Sequence, residues 1–259
     1  MNPAWQRQDR NGLSWFELSP GPGPRVAFLT RRGGVSRAPF TGLNLSCDVG
    51  DNPEAVGRNL GLVRETLEFP RIALLNQVHG SRVVRVPGPE AETPDADAQF
   101  TTDTGTALGV RVADCLPVWV WDRNATVAGI AHCGWRGTVE RTALKLVEAI
   151  RREAGTAPLD LFFALGPCIC PACYPVGEET VDRIRDGLPE ADRFLQQRPD
   201  GWHFAIREAN RALLTDAGLT ESGSLDECTR ERADLFFSAR RDRTTGRNLA
   251  LIRLEPTAD

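Results

Sequence analysis

A single mixed α/β (α+β) domain is the architecture this sequence predicts, on three observations. The chain has 259 residues and is 41% hydrophobic, enough for one substantial core. Segments with strand-like alternation and segments with helical periodicity are spread along the whole length. They do not alternate strictly enough for a doubly wound parallel sheet. The expected unit is residues 1–259 as one domain.

The elements follow in order. SWFEL and RVAFLT read as two short strands joined by the Pro/Gly-rich loop from Ser19 to Arg25. TRRGGVS and LNLS frame a glycine-containing loop. Asp51-Asn52-Pro53 is a helix start, with Val56, Leu60, Val63 and Leu67 at helical spacing. RVVRV, TALGVRV, LPVWVW and ATVAGIA are strand candidates in close succession. Thr138 to Ala154 is the clearest helix, with Gly155 as its stop. LDLFFALG is a buried strand leading into GPCICPACYPVG. Helices at Glu178–Arg185 and Phe204–Ala217, the latter stopped by Gly218, and a last strand NLALIRL complete the chain.

The formal charge is -4 and both signs are interspersed, so nucleic acid is not an expected partner. The N-terminal residues lack the apolar run of a signal peptide, and no apolar stretch reaches the ~20 residues that span a bilayer. A soluble, cytoplasmic protein is expected, with no membrane partner. Its seven cysteines are an odd number in a chain too large to need disulfide staples, so reduced thiols are the expected state.

Three polar groups sit where predicted strands begin or end: His79 in NQVHG, Cys115 in ADCLPV and His132 in AHCGWRG. Two imidazoles and one thiolate are the number and type of a catalytic zinc site, which keeps a fourth position open. On spacing and type alone, separate buried residues with local hydrogen bonds read equally well. Asp114 is a carboxylate able to orient an imidazole or carry a proton, or simply to cap a turn. Cys133 should point opposite to His132 along a strand and be buried in the core. Cys168, Cys170 and Cys173 form a C-x-C-x-x-C cluster like half a structural zinc site. No fourth ligand of familiar spacing follows, since His203 and Cys228 are distant, and the reading is reduced thiols lining a tight turn. His203 reads as an ordinary, partly exposed histidine. No phosphate-binding glycine motif is present, so an anion would fall to arginines in glycine-containing turns: Arg31, Arg37 or Arg136.

NQVHG, DADAQFTTDTGTALGVRVADCLPV, AHCGWRG, GPCI followed by CYPVG, and FFSARRDRTTGRNLALI together resemble the laccase-domain family of purine nucleoside phosphorylases, formerly labelled polyphenol oxidases. TRRGGVS and LNLS fit it too, and the resemblance runs from about Thr30 to Leu254. It implies an αββα-type sandwich with mixed β-sheets and a zinc held by His79, Cys115 and His132. It implies phosphorolysis of adenosine, inosine and methylthioadenosine, with adenosine deamination as a companion activity; the chain itself is expected as a monomer or homodimer. Cys115, His79, His132 and Asp114 become the catalytic candidates. Arg31, Asn44, Gln77 and Arg136, within or beside the matching blocks, become the substrate-binding candidates.

Three positions depart from the family pattern. Leu60 stands where the family usually has Arg, Pro175 where it has Glu, and Ala239 where it has an aromatic residue.

Rival readings differ in what the metal does. Cys115 as a nucleophile with His132 or His79 as base would give an amide hydrolase, for instance one editing peptidoglycan precursors. A copper-dependent phenol oxidase would need far more imidazoles than the three histidines present, though copper is an adventitious occupant of such ligands. A non-catalytic zinc pin would be a closed four-ligand cage.

Overall fold

The computed structural model describes residues 4–19, 23–88, 94–154 and 160–255. The N-terminal part holds β1 (Gln6–Arg10), β2 (Leu13–Leu18), β3 (Arg25–Leu29), α1 (Pro53–Leu67), β4 (Ile72–Leu74) and β5 (Val83–Arg85). The middle holds β6 (Ala98–Thr101), β7 (Ala107–Val112), β8 (Leu116–Asp122), β9 (Ala128–Cys133), α2 (Trp135–Val139), α3 (Thr142–Ala154) and β10 (Leu161–Leu165). The last part holds β11 (Pro175–Val176), α4 (Glu178–Gly187), β12 (Leu195–Arg198) and β13 (Gly201–Phe204). It ends with α5 (Ile206–Asp216), β14 (Thr220–Ser224), α6 (Ala239–Asp242) and β15 (Asn248–Arg253).

Two six-stranded sheets form the body, in the orders β1-β2-β3-β15-β7-β4 and β14-β10-β8-β9-β6-β5. A small sheet β11-β13-β12 lies apart from them in pairing. Each large sheet is mixed: β4 joins β7 in parallel, as β5 joins β6 and β14 joins β10, while the remaining pairs are antiparallel. Strand alternation sorts the apolar side chains into layers. Trp119 and Trp121 of β8 and Ile130 of β9 meet Phe28, Val110 and Ile252 of the first sheet. Val118 and Val120, on the opposite face, pack with Leu146, Val147 and Ile150 of α3. On the far side, Leu29 and Leu251 of the first sheet cover Val63 and Leu67 of α1. The order helix, sheet, sheet, helix is the sandwich that the motifs imply.

Local chemistry explains the ends. Asn52 caps α1, its side-chain oxygen accepting from the Glu54 amide at 2.8 Å, with Pro53 at the first position. Gly218, with φ +86°, follows the end of α5. Thr138 and Ala154 do not belong to one helix. Arg141 adopts φ +59°, a conformation no α-helix continues through, so α2 ends and α3 starts anew at Thr142. Phe204 likewise ends β13 rather than opening α5. Gly155 and part of the Ser19–Arg25 loop lie outside the described residues. No described helix is long and apolar enough to cross a membrane.

Candidate metal centre and cleft

The chain passes from the first sheet to the second between β7 and β8, in only three residues, Ala113 to Cys115. Asp114 takes φ +98° to make that step, and Cys115 follows it at the lip of the second sheet. His132 comes from β9, on the strand face that carries Ile130 into the sandwich interior, while Cys133 turns into the helix-side core as expected. His79 comes from the loop after β4, also at a positive φ of +56°.

The structure brings these three side chains together. One ligand atom from each of His79, Cys115 and His132 lies within 4.8 Å of the others, and the two imidazole rings meet edge-on with centroids 4.9 Å apart. The buried surroundings of Cys115 oppose ionisation, but the charge on His132 and hydrogen bonds from His132 and His79 pull its thiol down to about 6. Burial opposes the charge on His132, yet the Cys115 thiolate and Asp97 raise that imidazole to about 9. The low thiol and the high imidazole favour a thiolate–imidazolium pair, from which a cation bound at these atoms would displace a proton.

Asp97 is a central residue that the sequence reading missed. It is fully buried at the entry to β6, and its Oδ1 sits 2.8 Å from His132 Nδ1. The same carboxylate accepts from the amides of Val78, His79 and Gly80, at 3.2, 3.1 and 2.7 Å. Burial alone would raise its pKa, but these hydrogen bonds outweigh it and hold the carboxyl below its ordinary value. One side chain thus fixes the tautomer of His132, leaving Nε2 for a ligand, and shapes the loop that carries His79. It is this carboxylate that orients an imidazole, not Asp114. Asp114 accepts instead from Thr229 Oγ1 at 2.7 Å and the Arg240 amide at 2.7 Å, bracing the wall of the site.

Gly134 closes the cluster. A Cβ there would stand 3.0 Å from Cys115 Sγ and 3.5 Å from His79 Cδ2. Gly134→Ala is expected to weaken metal binding by about tenfold, the lower end of what a change just outside the ligands costs. Competition against a chromogenic chelator measures this. Unchanged affinity would mean that the cluster tolerates crowding at that side.

A cleft of about 590 Å3 opens over these three side chains, in the size range of small-molecule sites. Arg111, Arg240, Arg243 and Arg247 line it, together with Tyr174 and Gln77. Gln77 exchanges both amide bonds with the backbone of Arg111, at 2.9 and 2.8 Å. Asn44 is buried behind the wall and accepts from the amides of Ser46 and Arg247 at 3.2 and 2.9 Å, so it supports the cleft without lining it. Arg31 lies over the Phe237 ring and donates to the carbonyls of Ala233 and Thr41, outside the cleft lining. Arg136 stacks on Trp135 beside a different depression, near Glu140 and Asp186. The cleft arginines come instead from β7 and from the Arg-rich segment after Ser238, where Arg247 alone adjoins a glycine, Gly246.

His203 is not partly exposed. It is buried, with Nδ1 2.7 Å from the Pro171 carbonyl and Nε2 3.0 Å from Asp200. Of the three departures, Leu60 faces a depression near Ile72 and Leu74, apart from the cleft. Pro175 offers its carbonyl to Arg240 at 2.8 Å, and Ala239 lines the cleft itself. Cys170 and Cys173 do acquire the partner they lack in sequence: Cys228, with Glu231, lies within ligand distance of both.

Comparison with known proteins places these features in a family. The model described as multi-copper polyphenol oxidoreductase laccase matches residues 25–255. A Deinococcus radiodurans protein named purine nucleoside phosphorylase is 40% identical over 88% of each chain. The purine nucleoside phosphorylase YlmD of Geobacillus stearothermophilus is 35% identical over 95% of this chain and 96% of its own. The crystal structure of that YlmD superposes with a TM-score of 0.89 at 33% identity, covering 98% of this chain and all of the other. A Neisseria meningitidis protein, NMB0706, superposes with a TM-score of 0.85 at 33% identity over 99% of this chain. With its motifs, its sandwich and nearly its whole length matched, the chain belongs to the laccase-domain family, whose relatives include these purine nucleoside phosphorylases.

Proposed function

We propose that the protein is a zinc-dependent purine nucleoside phosphorylase acting on adenosine, inosine and methylthioadenosine, with adenosine deaminase activity at the same site. The observation that carries this is the juxtaposition of a two-imidazole, one-thiolate cluster with an arginine-lined cleft of small-molecule size. The names of the relatives support the substrate class.

The donor set fits zinc: two nitrogens and one sulfur converge, Asp97 fixes one tautomer, and the gap at Gly134 leaves room beside the ligands. A zinc ion held there supplies Lewis acidity for polarising an oxygen or activating water. The cluster has only two imidazoles, and His203 is engaged elsewhere, so a multicopper centre lacks ligands. Copper is an adventitious occupant.

In phosphorolysis a phosphate oxygen bonds to the ribose C1′ while the bond to purine N9 breaks, its electron pair leaving with the base. The chain's contribution is positioning and charge. Arg240 is held in place by the Pro175 carbonyl and the Tyr174 ring, 5.0 Å from its guanidinium carbon. The Arg243 side chain makes no hydrogen bond or ion pair among the described residues, and is the cation left uncommitted at the cleft. Burial pushes the Tyr174 phenol well above its ordinary range, so it remains a neutral hydroxyl at working pH. Arg243→Ala is expected to raise the KM for phosphate by about 10- to 100-fold, the worth of a hydrogen bond to a charged group, with little change in kcat. A fall in kcat with unchanged KM would take Arg243 out of phosphate binding.

The test of the reading is chromatographic. Metal-analysed protein is incubated with adenosine or inosine, with and without phosphate, following free base, sugar phosphate and inosine. Phosphate-dependent release of base is expected. Its absence from protein carrying zinc would overturn the reading.

The thiolate–imidazolium pair favours one rival, the amide hydrolase with Cys115 as nucleophile. The two part under chelation: removing metal abolishes zinc chemistry but frees a thiol nucleophile. In metal-free protein, alkylation of Cys115 by iodoacetamide is expected to rise with pH with a midpoint at about 6. A midpoint near that of a free cysteine would show that the histidines do not stabilise the thiolate.

A further inference from the structure

We infer that Cys170, Cys173, Cys228 and Glu231 form a second, structural site for a thiophilic divalent cation such as Zn2+, separate from the His79/Cys115/His132 centre. The four ligand atoms lie within 4.8 Å of one another. Cys173 and Cys228 are buried, Cys170 is half-buried and Glu231 closes the set from solvent.

The two sulfur–oxygen separations at Glu231 fit a tetrahedral cage. Metal–sulfur bonds of about 2.3 Å and a metal–oxygen bond of about 2.0 Å give sulfur–oxygen edges of about 3.5 Å in a regular tetrahedron. Glu231 Oε1 stands 3.5 Å from Cys173 Sγ and 3.8 Å from Cys170 Sγ. The backbone is folded to match. Pro171–Cys173 make one tight helical turn, closed by the Cys173 amide on the Cys170 carbonyl at 3.0 Å, which turns both thiols of the C-x-x-C pair to one side. The Cys170 amide points at Cys228 Sγ at 3.3 Å, the hydrogen bond that steadies a metal thiolate. Cys228 reaches the pair because a parallel bridge joins Cys168 to Cys228, with the Thr229 amide donating to the Cys168 carbonyl at 3.1 Å.

The position of the site gives it a task. Its first loop runs directly into Tyr174 of the cleft, and its second continues into Thr229, which holds Asp114. Arg241 ties the same loop back through the carbonyls of Thr229 and Arg230, at 2.9 and 3.0 Å. An ion joining the two loops fixes the cleft wall opposite the histidines. Four protein ligands leave no open coordination position, as in structural zinc sites generally.

The experiment is metal counting in the full chain purified under reducing conditions and supplied with Zn2+. The wild type is expected to hold two zinc ions, Cys115→Ala one, and Cys170→Ser/Cys173→Ser one. Because the double variant can fail to fold, Cys115→Ala is also loaded with Co2+. A sulfur-to-cobalt charge-transfer band with intense tetrahedral visible bands is expected there, since the histidine cluster of that variant keeps no thiol. A Cys115→Ala protein that is folded and free of metal would overturn the site. So would a mass deficit of two hydrogens at Cys170, Cys173 or Cys228 in the native wild type, which reports a disulfide instead. The readout is metal content, so it stands or falls apart from the nucleoside reading.

Discussion

Cys115→Ala is expected to release the ion of the histidine centre and to lower kcat/KM for phosphorolysis by about a thousandfold, the several kcal/mol that a Lewis acid contributes to a transition state. The reason is geometric as well as chemical. Cys115 is the only anionic ligand of its cluster and sits on the three-residue crossing between the sheets, where no neighbouring side chain can replace it. Plasma mass spectrometry of metal content and a coupled phosphorolysis assay read the two effects together. Loss of turnover with full retention of metal would make Cys115 a nucleophile rather than a ligand. Retention of both would remove it from the site.

Asp97→Asn is expected to cost about 10- to 100-fold in affinity for the same ion, as changes to the partners of ligand histidines do. Asparagine preserves the shape but not the charge. It removes one of the two anions, the other and larger being the Cys115 thiolate, that together hold His132 raised to about 9. It also presents an NH2 group to amides of the Val78–Gly80 loop that now donate to a carboxylate. Affinity is measured by competition with a chelator, and the loop by hydrogen exchange at Val78, His79 and Gly80. Faster exchange with weaker binding is expected. Unaltered affinity would show that the tautomer of His132 is set by something else.

The sequence made the layers legible wherever burial follows a period. LPVWVW alternates between tryptophans for the sheet interface and valines for the helix side, and α1 announces itself through Asn52-Pro53 and its apolar spacing. Seven strands carry no clear period because they are short or polar: β1 reads QRQDR, β4 IAL, β6 AQFT, β12 LQQR, β13 GWHF and β14 TESGS, and β11 has two residues. Arg141 broke the long helix because an arginine gives no local sign of a positive φ. At the site, His79, Cys115 and His132 stood out as chemistry at strand ends. Asp97 did not, since a buried acid is recognised by what it bonds, and its four partners are 17 to 35 residues away in the chain. Cys228 stands 55 residues from Cys173 in the chain, a separation that hides it in the sequence and that the parallel bridge at Cys168 cancels in space. Glycines point to Arg31 and Arg136, whereas the cleft is lined by Arg111 of β7, by Arg240 and Arg243 in and just after α6, and by Arg247 before β15.

The crossing at Ala113–Cys115 has a thermodynamic consequence. His79 follows a strand of one sheet, His132 ends a strand of the other, and Cys115 lies on the chain that joins them. An ion shared by all three is a clasp across the mouth of the sandwich, and its binding energy is drawn only from the state in which the sheets are closed. The protein's melting point should therefore climb with free zinc, gaining about 2.7 kcal/mol at a hundred times the dissociation constant. Cellular metal supply would then set how long the molecule survives as well as how fast it works.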